Sequence, residues 1–414
     1  MKIAQSDDRG YLQVNVTRAS NQYPIEDAVV DIAYSSDPEN IIEQLKTNPS
    51  GQTEEIELPT PPIEYSKEPS RNRPYEDYTI TVKAPGYDTL TITGSELLPD
   101  TVSIQPARLI SNNSQAEDIT IPDHTLYGTY PPKIPEEEVK PLPEGGEIVL
   151  TRVVIPEYII VHDGVPSDRS APNYYVPYTD YIKNVACSEI YANWPTEAIV
   201  ANVLAIQSFT MNRVYTEWYR GKGYDFTITS STAYDQKFIY QRNIFQSISD
   251  VVDEIFDSYL SRPDVKQPIM TQYCDGQYVG CEDRGWMTQW GSKDLAAGGS
   301  SAINILRNYY GYDIYINSAE QISGVPISYP GYPLSLGSSG ESVRHLQEQL
   351  NVIGEVYMQV GQLIVDGIYG ISTEEAVRNF QSIFGLTQDG IVGRGTWYKI
   401  SQIYVGITRI AETV

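Results

Sequence analysis

Residues Tyr178–Arg220, YTDYIKNVACSEIYANWPTEAIVANVLAIQSFTMNRVYTEWYR, read as two helices joined by a tight elbow. Apolar residues recur at Tyr178, Ile182, Val185, Ala186 and Ile190, then at Ile199, Val203, Ile206, Val214 and Trp218. This is the i, i+3/i+4 stripe of core-facing helices. Asn193-Trp194-Pro195 breaks the first helix, and Pro195 can open the second because its missing donor does no harm in a first turn. Glu189 falls one turn before that break, beside Tyr191, Trp194 and apolar helix faces. Partial desolvation there raises a carboxyl's pKa toward the value a general acid needs near neutral pH. Taken alone, a glutamate near a helix end is more often a solvated surface group. Glu197 reads as a first-turn residue complementing the helix dipole.

Outward from this pair, 414 residues are too many for one ordinary domain. Apolar residues make up 41% and aromatic residues 11%, enough for several cores, and 33 tyrosines against 7 phenylalanines suggest half-wet aromatic surfaces. A net charge of -25 excludes nucleic acid as a partner, since phosphates attract the opposite sign. Residues 1–150 carry -15 of that charge and residues 151–414 carry -10. No run reaches the roughly 20 apolar residues of a membrane span, and MKIAQSDDRG does not read as a signal peptide, so synthesis in a cytoplasm is expected. Cys187, Cys274 and Cys281 are too few for a disulfide framework. Cys274 and Cys281 can pair or join a metal site, with free thiols the favoured reading. His124, His162 and His345 lie far apart, which argues against a zinc amidase or a Cys-His peptidase.

The runs YLQVNVTR, AVVDIAY, EIELP, YTITVKA, LTITG and TVSIQPARL alternate between turn residues, so residues 1–110 are expected to form a small β-sandwich. The phrase YTITVKAPGYDT resembles the carboxypeptidase-regulatory type of sandwich, a binding or chaperoning module. Residues 111–148 loosen into an acidic, Pro-rich connector, with prolines at 131, 132, 135, 141 and 143 and the run Glu136-Glu137-Glu138. Such a segment is stiff, exposed and accessible to a protease. Residues 149–320 follow, within a run EIVLTRVVIPEYIIVHDG that starts at Glu147 and is read as two strands, and continue through the helical pair. A loop and strand over Thr227–Tyr240, a helix over Ile244–Leu260, a Gly-, aromatic- and amide-rich stretch over Met270–Gly299 and a helix over Ala302–Tyr310 come next. Flat rings and amides over Met270–Gly299 suit a saccharide cleft. A spacer, 321–333, precedes a small helical module, 334–414.

The pattern Tyr181-x-x-x-Val185-x-x-Ser188-Glu189-Ile190, then Trp194-Pro195-x-Glu197-Ala198, resembles the catalytic signature of the stage II sporulation protein D (SpoIID) family of peptidoglycan lytic transglycosylases. Met287-Thr288-Gln289-Trp290-Gly291-Ser292 and Thr232-x-x-x-Gln236-x-Phe238 are similar to two further motifs of that family. The resemblance implies that Glu189 is the catalytic acid. It makes Ser188, Gln236, Gln289 and Trp290 the candidates for holding the glycan. Arg284-Gly285-Trp286 stand where the family carries His-Gly, and no metal or other cofactor is expected. Gly337-x-x-Gly340-x-x-Val343-x-x-Leu346-Gln347, Asp366-Gly367-Ile368-Tyr369-Gly370, Ala376-Val377-x-x-Phe380-Gln381 and Asp389-Gly390-Ile391-Val392-Gly393-x-x-Thr396-Trp397 resemble the peptidoglycan-binding type 1 domain. Val343, Leu346, Val377, Phe380 and Trp397 at helical spacing are core before they are ligand contacts.

The expected architecture is therefore multidomain α+β: a β-sandwich pro-region, a central α+β SpoIID-like catalytic domain and a C-terminal helical peptidoglycan-binding domain. The order of these parts is similar to that of germination-specific spore cortex-lytic enzymes of anaerobic spore formers. That resemblance implies a precursor stored in the spore and activated when a subtilisin-like Csp protease cuts near Val149–Val153. The implied partner is the glycan strand of cortex peptidoglycan, and the implied product carries 1,6-anhydro-muramic ends. Two alternatives stand beside this reading: a non-catalytic wall-binding protein of coat or cortex assembly, and a two-carboxylate muramidase using Asp235 or Asp275.

Overall fold

The computed structural model describes residues 7–111, 116–128, 130–134, 150–281, 285–324 and 327–408. It is a mixed α/β architecture with several sheets. Eight strands build the N-terminal part: β1 (Arg9–Arg18), β2 (Val29–Tyr34), β3 (Ile41–Lys46), β4 (Ile56–Pro59), β5 (Glu76–Lys83), β6 (Leu90–Leu97), β7 (Val102–Leu109) and β8 (Glu117–Thr120). One sheet runs β7-β1-β4, with β1 and β7 parallel from Tyr11↔Val102 to Arg18↔Leu109. The other runs β3-β2-β5-β6-β8. Alternation along β1 turns Leu12, Val14 and Val16 inward against Val30, Ile32, Ile80, Val82 and Ile92 of the facing sheet.

The central part is organised around the helical pair, α1 (Tyr178–Glu189) and α2 (Thr196–Tyr215). Strands β9 (Val154–Ile155), β10 (Tyr158–His162) and β11 (Asn173–Pro177) lead into α1, and β12 (Ile228–Thr229) pairs parallel with β10. Residues 147–149 of the opening apolar run lie outside the described residues. The expected one-sided stripe is exceeded in α2, which is buried from Ala201 to Arg213. A helix enclosed on all sides must satisfy its polar groups internally. Asn202 donates to the Ser292 hydroxyl, Gln207 to the carbonyls of Ile255 and Ser258, and Thr210 to the Gln236 side chain. The helix expected over Ile244–Leu260 is instead β13 (Ile244–Phe245), α3 (Gln246–Ile255) and a strand over Ser258–Ser261. The reason is tertiary: β13 joins the N-terminal sheet at the free edge of β7.

Two more expectations change. Cys274 and Cys281, read as free thiols, form a disulfide, while Cys187 is a buried free thiol. Residues 116–134 are not a plain connector. β8 pairs parallel with β6, and Ile121, His124, Thr125, Leu126 and Tyr130 are buried. The apolar and aromatic residues of ITIPDHTLYGTY supply a packing face, whereas the acidic run 135–149 lies outside the described residues.

The C-terminal part packs α6 (Glu341–Val356), α7 (Ile371–Ile383) and α8 (Arg394–Thr408) around Val343, Leu346, Val377, Phe380 and Trp397, numbered after α4 (Gln289–Ala297) and α5 (Ala302–Tyr310) of the central part. It holds the same knot twice. The Gln347 side chain donates to Asp366, the Ile368 carbonyl and Thr373, and accepts from the Gly367 amide at 2.8 Å. Gln381 repeats this with Asp389, Ile391, Thr396 and the Gly390 amide at 2.9 Å. Each Asp-Gly turn is thus tied to a helix by one buried amide. Truncating either glutamine leaves buried donors and acceptors unpaired, which costs about 1–3 kcal/mol. Gln347→Ala and Gln381→Ala are each expected to lower the unfolding temperature of this module in calorimetry. An unchanged transition in both would show the knots to be incidental.

Among the described residues no helix is long and apolar enough to cross a membrane.

Candidate active site beneath a chain segment

Glu189 ends α1 with its side chain inside the protein and no measurable exposure. One carboxylate oxygen accepts the Lys237 backbone N–H at 2.7 Å, and the other accepts the Gln289 side-chain amide at 3.1 Å. The Tyr273 ring lies alongside, its hydroxyl near the carboxyl but outside good hydrogen-bond geometry. Burial raises the Glu189 pKa above the ordinary carboxylate value, opposed by the nearby Lys133 ammonium, the Lys237 amide, Tyr273 and Gln289. The same enclosure pushes the Tyr130 and Tyr273 hydroxyls well above the usual phenol range, with the Glu189 charge as second cause.

Three local devices set this geometry. The loop carrying Lys237 is pinned by Asp235, whose carboxylate accepts Arg213 Nε at 2.8 Å, the Tyr219 hydroxyl at 2.6 Å, and the Thr229 hydroxyl and backbone N–H. Strands Tyr273–Cys274 and Met287–Thr288 pair in parallel and deliver Gln289 to the first turn of α4. Gly291 permits that turn: a Cβ there would lie 2.2 Å from both the Thr288 hydroxyl and the Tyr309 hydroxyl, which are hydrogen-bonded to each other. The glycine of the Met-Thr-Gln-Trp-Gly run thus has a steric reason.

The residues expected at the site are brought together only in part. Gln289 reaches Glu189 directly, and its side-chain oxygen is buried without a partner among the described residues. Trp290 packs on Trp194 at 5.0 Å and Tyr191 at 5.9 Å, buried in the central core. Ser188 turns away, its hydroxyl donating to the Asn184 carbonyl and accepting from Arg242. Gln236 is taken up by Tyr181, Thr210 and the Ile206 carbonyl. Glu197, in the first turn of α2, caps another helix by accepting the Ala302 amide at 2.6 Å. Both candidates for a second carboxylate are engaged within the protein: Asp235 accepts from Arg213, Tyr219 and Thr229, and Asp275 accepts the backbone amides of Gln277, Tyr278 and Val279. Lys237 and Tyr273 were not singled out from the sequence. Lys237 acts through its main chain, which no side-chain pattern encodes.

Residues 121–128 and 130–134 lie across this site as a strap. The Thr125 hydroxyl donates to the Ser188 carbonyl, and the His124 ring lies tilted against Tyr191 at 4.6 Å. Burial holds the His124 imidazole well below its usual pKa, aided by the nearby Arg242 charge. Tyr130 packs on the Cys274–Cys281 disulfide. Lys133 donates to the Asp235 carbonyl at 2.7 Å, and the Ile134 amide to the Ala233 carbonyl at 2.8 Å. Beside the strap runs a polar cavity of about 790 Å³ edged by Tyr127, Tyr130, Thr232, Lys237 and Tyr278. Strap residues thus share that wall with Lys237, whose backbone N–H bonds the Glu189 carboxylate.

Residues 339–400 match the peptidoglycan binding domain family. A zinc D-Ala-D-Ala carboxypeptidase of Streptomyces albus G is 51% identical over 71 residues, 17% of this chain and 26% of that protein. A spore cortex-lytic enzyme of Bacillus cereus is 35% identical over 94 residues, 23% of this chain and 34% of that protein. The solved SleB N-terminal domain is 34% identical, covering 19% of this chain and 99% of its own, with a TM-score of 0.17. The chain spans about a quarter to a third of the length of these curated relatives.

Proposed function

We propose that this chain is the stored precursor of a lytic transglycosylase acting on spore cortex peptidoglycan. The carrying observation is one fully buried carboxyl, Glu189, with a chain segment laid over it and both other candidate carboxylates engaged in bonds of their own. Glycosidases that hydrolyse through water or a covalent intermediate use two carboxylates. A lytic transglycosylase manages with one, because the N-acetylmuramic acid ring carries its own nucleophile, the C6 hydroxyl. Glu189 protonates the bridging oxygen toward N-acetylglucosamine, the glycosidic bond breaks, and the carboxylate then takes the C6 hydroxyl proton as that oxygen closes on C1. Intramolecular attack supplies by proximity what a bound water would need by positioning. The Gln289 side-chain oxygen, without a partner among the described residues, and the nearby Tyr273 hydroxyl suit sugar hydroxyls, and the Lys237 amide steadies the carboxylate formed after proton donation.

The peptidoglycan-binding module supports a wall glycan as partner, and the cortex-lytic relative supports the cortex as its location. On this reading the chain is made in the mother cell, held in the cortex or coat region and opened by a subtilisin-like Csp protease cutting near Val149–Val153. Mass spectrometry of fragments released from purified cortex by the cut chain tests the chemistry. 1,6-Anhydro-muramic ends are expected. Reducing muramic ends would require a second carboxylate and favour a muramidase, and no fragments at all would favour a wall-binding protein without catalysis.

A further inference from the structure

The cut falls beyond the strap, so the bonds that join the N-terminal β-domain to the rest of the molecule are not the bonds the protease breaks. Four main sets of them cross the interface, beside further bonds from Trp194 to the Ser66 carbonyl and from Gln105 to the Gln241 carbonyl. First, β13 of the central part extends the N-terminal sheet, with Ile244 paired to Ile104 and Phe245 to Ser103. Second, Arg242 donates to the Glu96 carboxylate at 2.9 Å, both side chains being essentially inaccessible, and is held from its own side by the Asn243 carbonyl and Ser188 hydroxyl. Third, the Asn243 amide grips the backbone of Glu96 on both faces, accepting its N–H at 3.2 Å and donating to its carbonyl at 2.9 Å, while also donating to Ser103. Fourth, the cores interpenetrate: Tyr75 and Leu98 sit in the central core and Ile239 in that of the β-domain, all buried. The β-domain also touches the C-terminal module, where the Tyr357 hydroxyl donates to the Gln22 carbonyl and Gln52 to the Ile383 carbonyl.

We infer that the N-terminal β-domain is not shed when the chain is cut: it remains as a non-covalent subunit of the active enzyme, and only the distal strap, residues 130–134, leaves the site. An interface made of a shared sheet, a buried ion pair and exchanged core residues is of the obligate kind, resembling one core cut in two. The distal strap differs from it. Tyr130 packs on the disulfide, Lys133 and Ile134 bond loop carbonyls, and none of the segment's described residues joins a shared sheet. Once one end is free, that segment can lift while residues 116–128 stay with the β-domain. Because the β-domain contacts both other parts, the retained subunit fixes where the wall-binding module stands relative to Glu189.

The inference rests on the proposed cleavage, and its test separates the two. A recognition site for a specific protease is placed within residues 140–149 and cut to completion, and the product is run on size exclusion and by native mass spectrometry down to about 10 nM, a range in which only tight complexes survive. One species at the intact mass of 46.4 kDa is expected, with activity on cortex. Separation into two fragments with activity retained would overturn the inference and leave the enzyme reading standing. Co-migration with no activity before or after cutting would do the reverse. Glu96→Gln and Asn243→Ala are expected to speed dissociation of the cut complex by about 30-fold or more, as loss of one partner of a buried bonded pair does. Cooperative unfolding of each uncut variant checks that it folds, and unchanged dissociation in both folded variants would also overturn the assignment.

Discussion

Glu189→Gln in the cut chain is expected to abolish release of anhydro-muramic fragments, by about 10²–10⁴-fold, the usual contribution of a positioned general acid. The substitution is nearly isosteric, and the amide can still accept from Lys237, so binding to cortex should persist. A carboxyl held above its ordinary pKa by burial is protonated, and so competent as an acid, below that raised value. Activity of the cut enzyme should therefore fall as pH rises through it. The Glu189→Gln variant should show no such limb in whatever residual rate remains. Substrate occupying the place of the strap keeps the carboxyl desolvated but brings no ammonium like that of Lys133, so the acid form is favoured further in the complex. A Glu189→Gln enzyme with full activity would remove the mechanism altogether.

The second large effect concerns the strap. The uncut chain should release at least about 100-fold less product than the cut chain, because a fully buried carboxyl cannot meet a glycosidic oxygen and proximity is the source of the rate. Tyr130→Ala combined with Lys133→Ala, made in the uncut chain, should leak activity without proteolysis. Tyr130 fills the space over the disulfide, and Lys133 bonds the Asp235 carbonyl while opposing protonation of Glu189. Fragment release per hour from uncut wild type, uncut double variant and cut wild type decides the matter. Equal rates in all three would mean that the segment covers nothing of consequence.

How far the sequence foretold this structure varies by element. The helical pair was legible because its periodicity and the Asn193-Trp194-Pro195 break are local, and α1 and α2 fall where both signals place them. The turns and helices of the C-terminal module were legible for the same reason. The stretch after Tyr240 was not, since β13 exists only against β7, about 140 residues earlier in the chain. The disulfide was obscured by the scarcity of cysteine, and the strap by the acidic run that comes after it. At the site, Glu189 and Gln289 came from motifs and meet in space. Ser188 and Gln236 came from the same motifs but serve bonds inside the protein, as a motif cannot distinguish a group that touches a ligand from one that supports its neighbour. The Arg242–Glu96 pair carries no local signal at all, being a property of two domains together.

On the proposed precursor reading, the strap is part of the chain it covers, and that would govern the timing of release. A tethered blocker faces its site at an effective concentration of about millimolar whatever the abundance of the protein, so dilution cannot relieve it. No separate inhibitor has to be made, stored or matched in number to the enzyme. A peptide bond once cut is not remade, so the transition runs one way. After the cut, a tail anchored at one end competes with a polymer that the wall-binding module holds close by. The outcome then depends on whether wall is within reach, which confines the active form to the place where its substrate is.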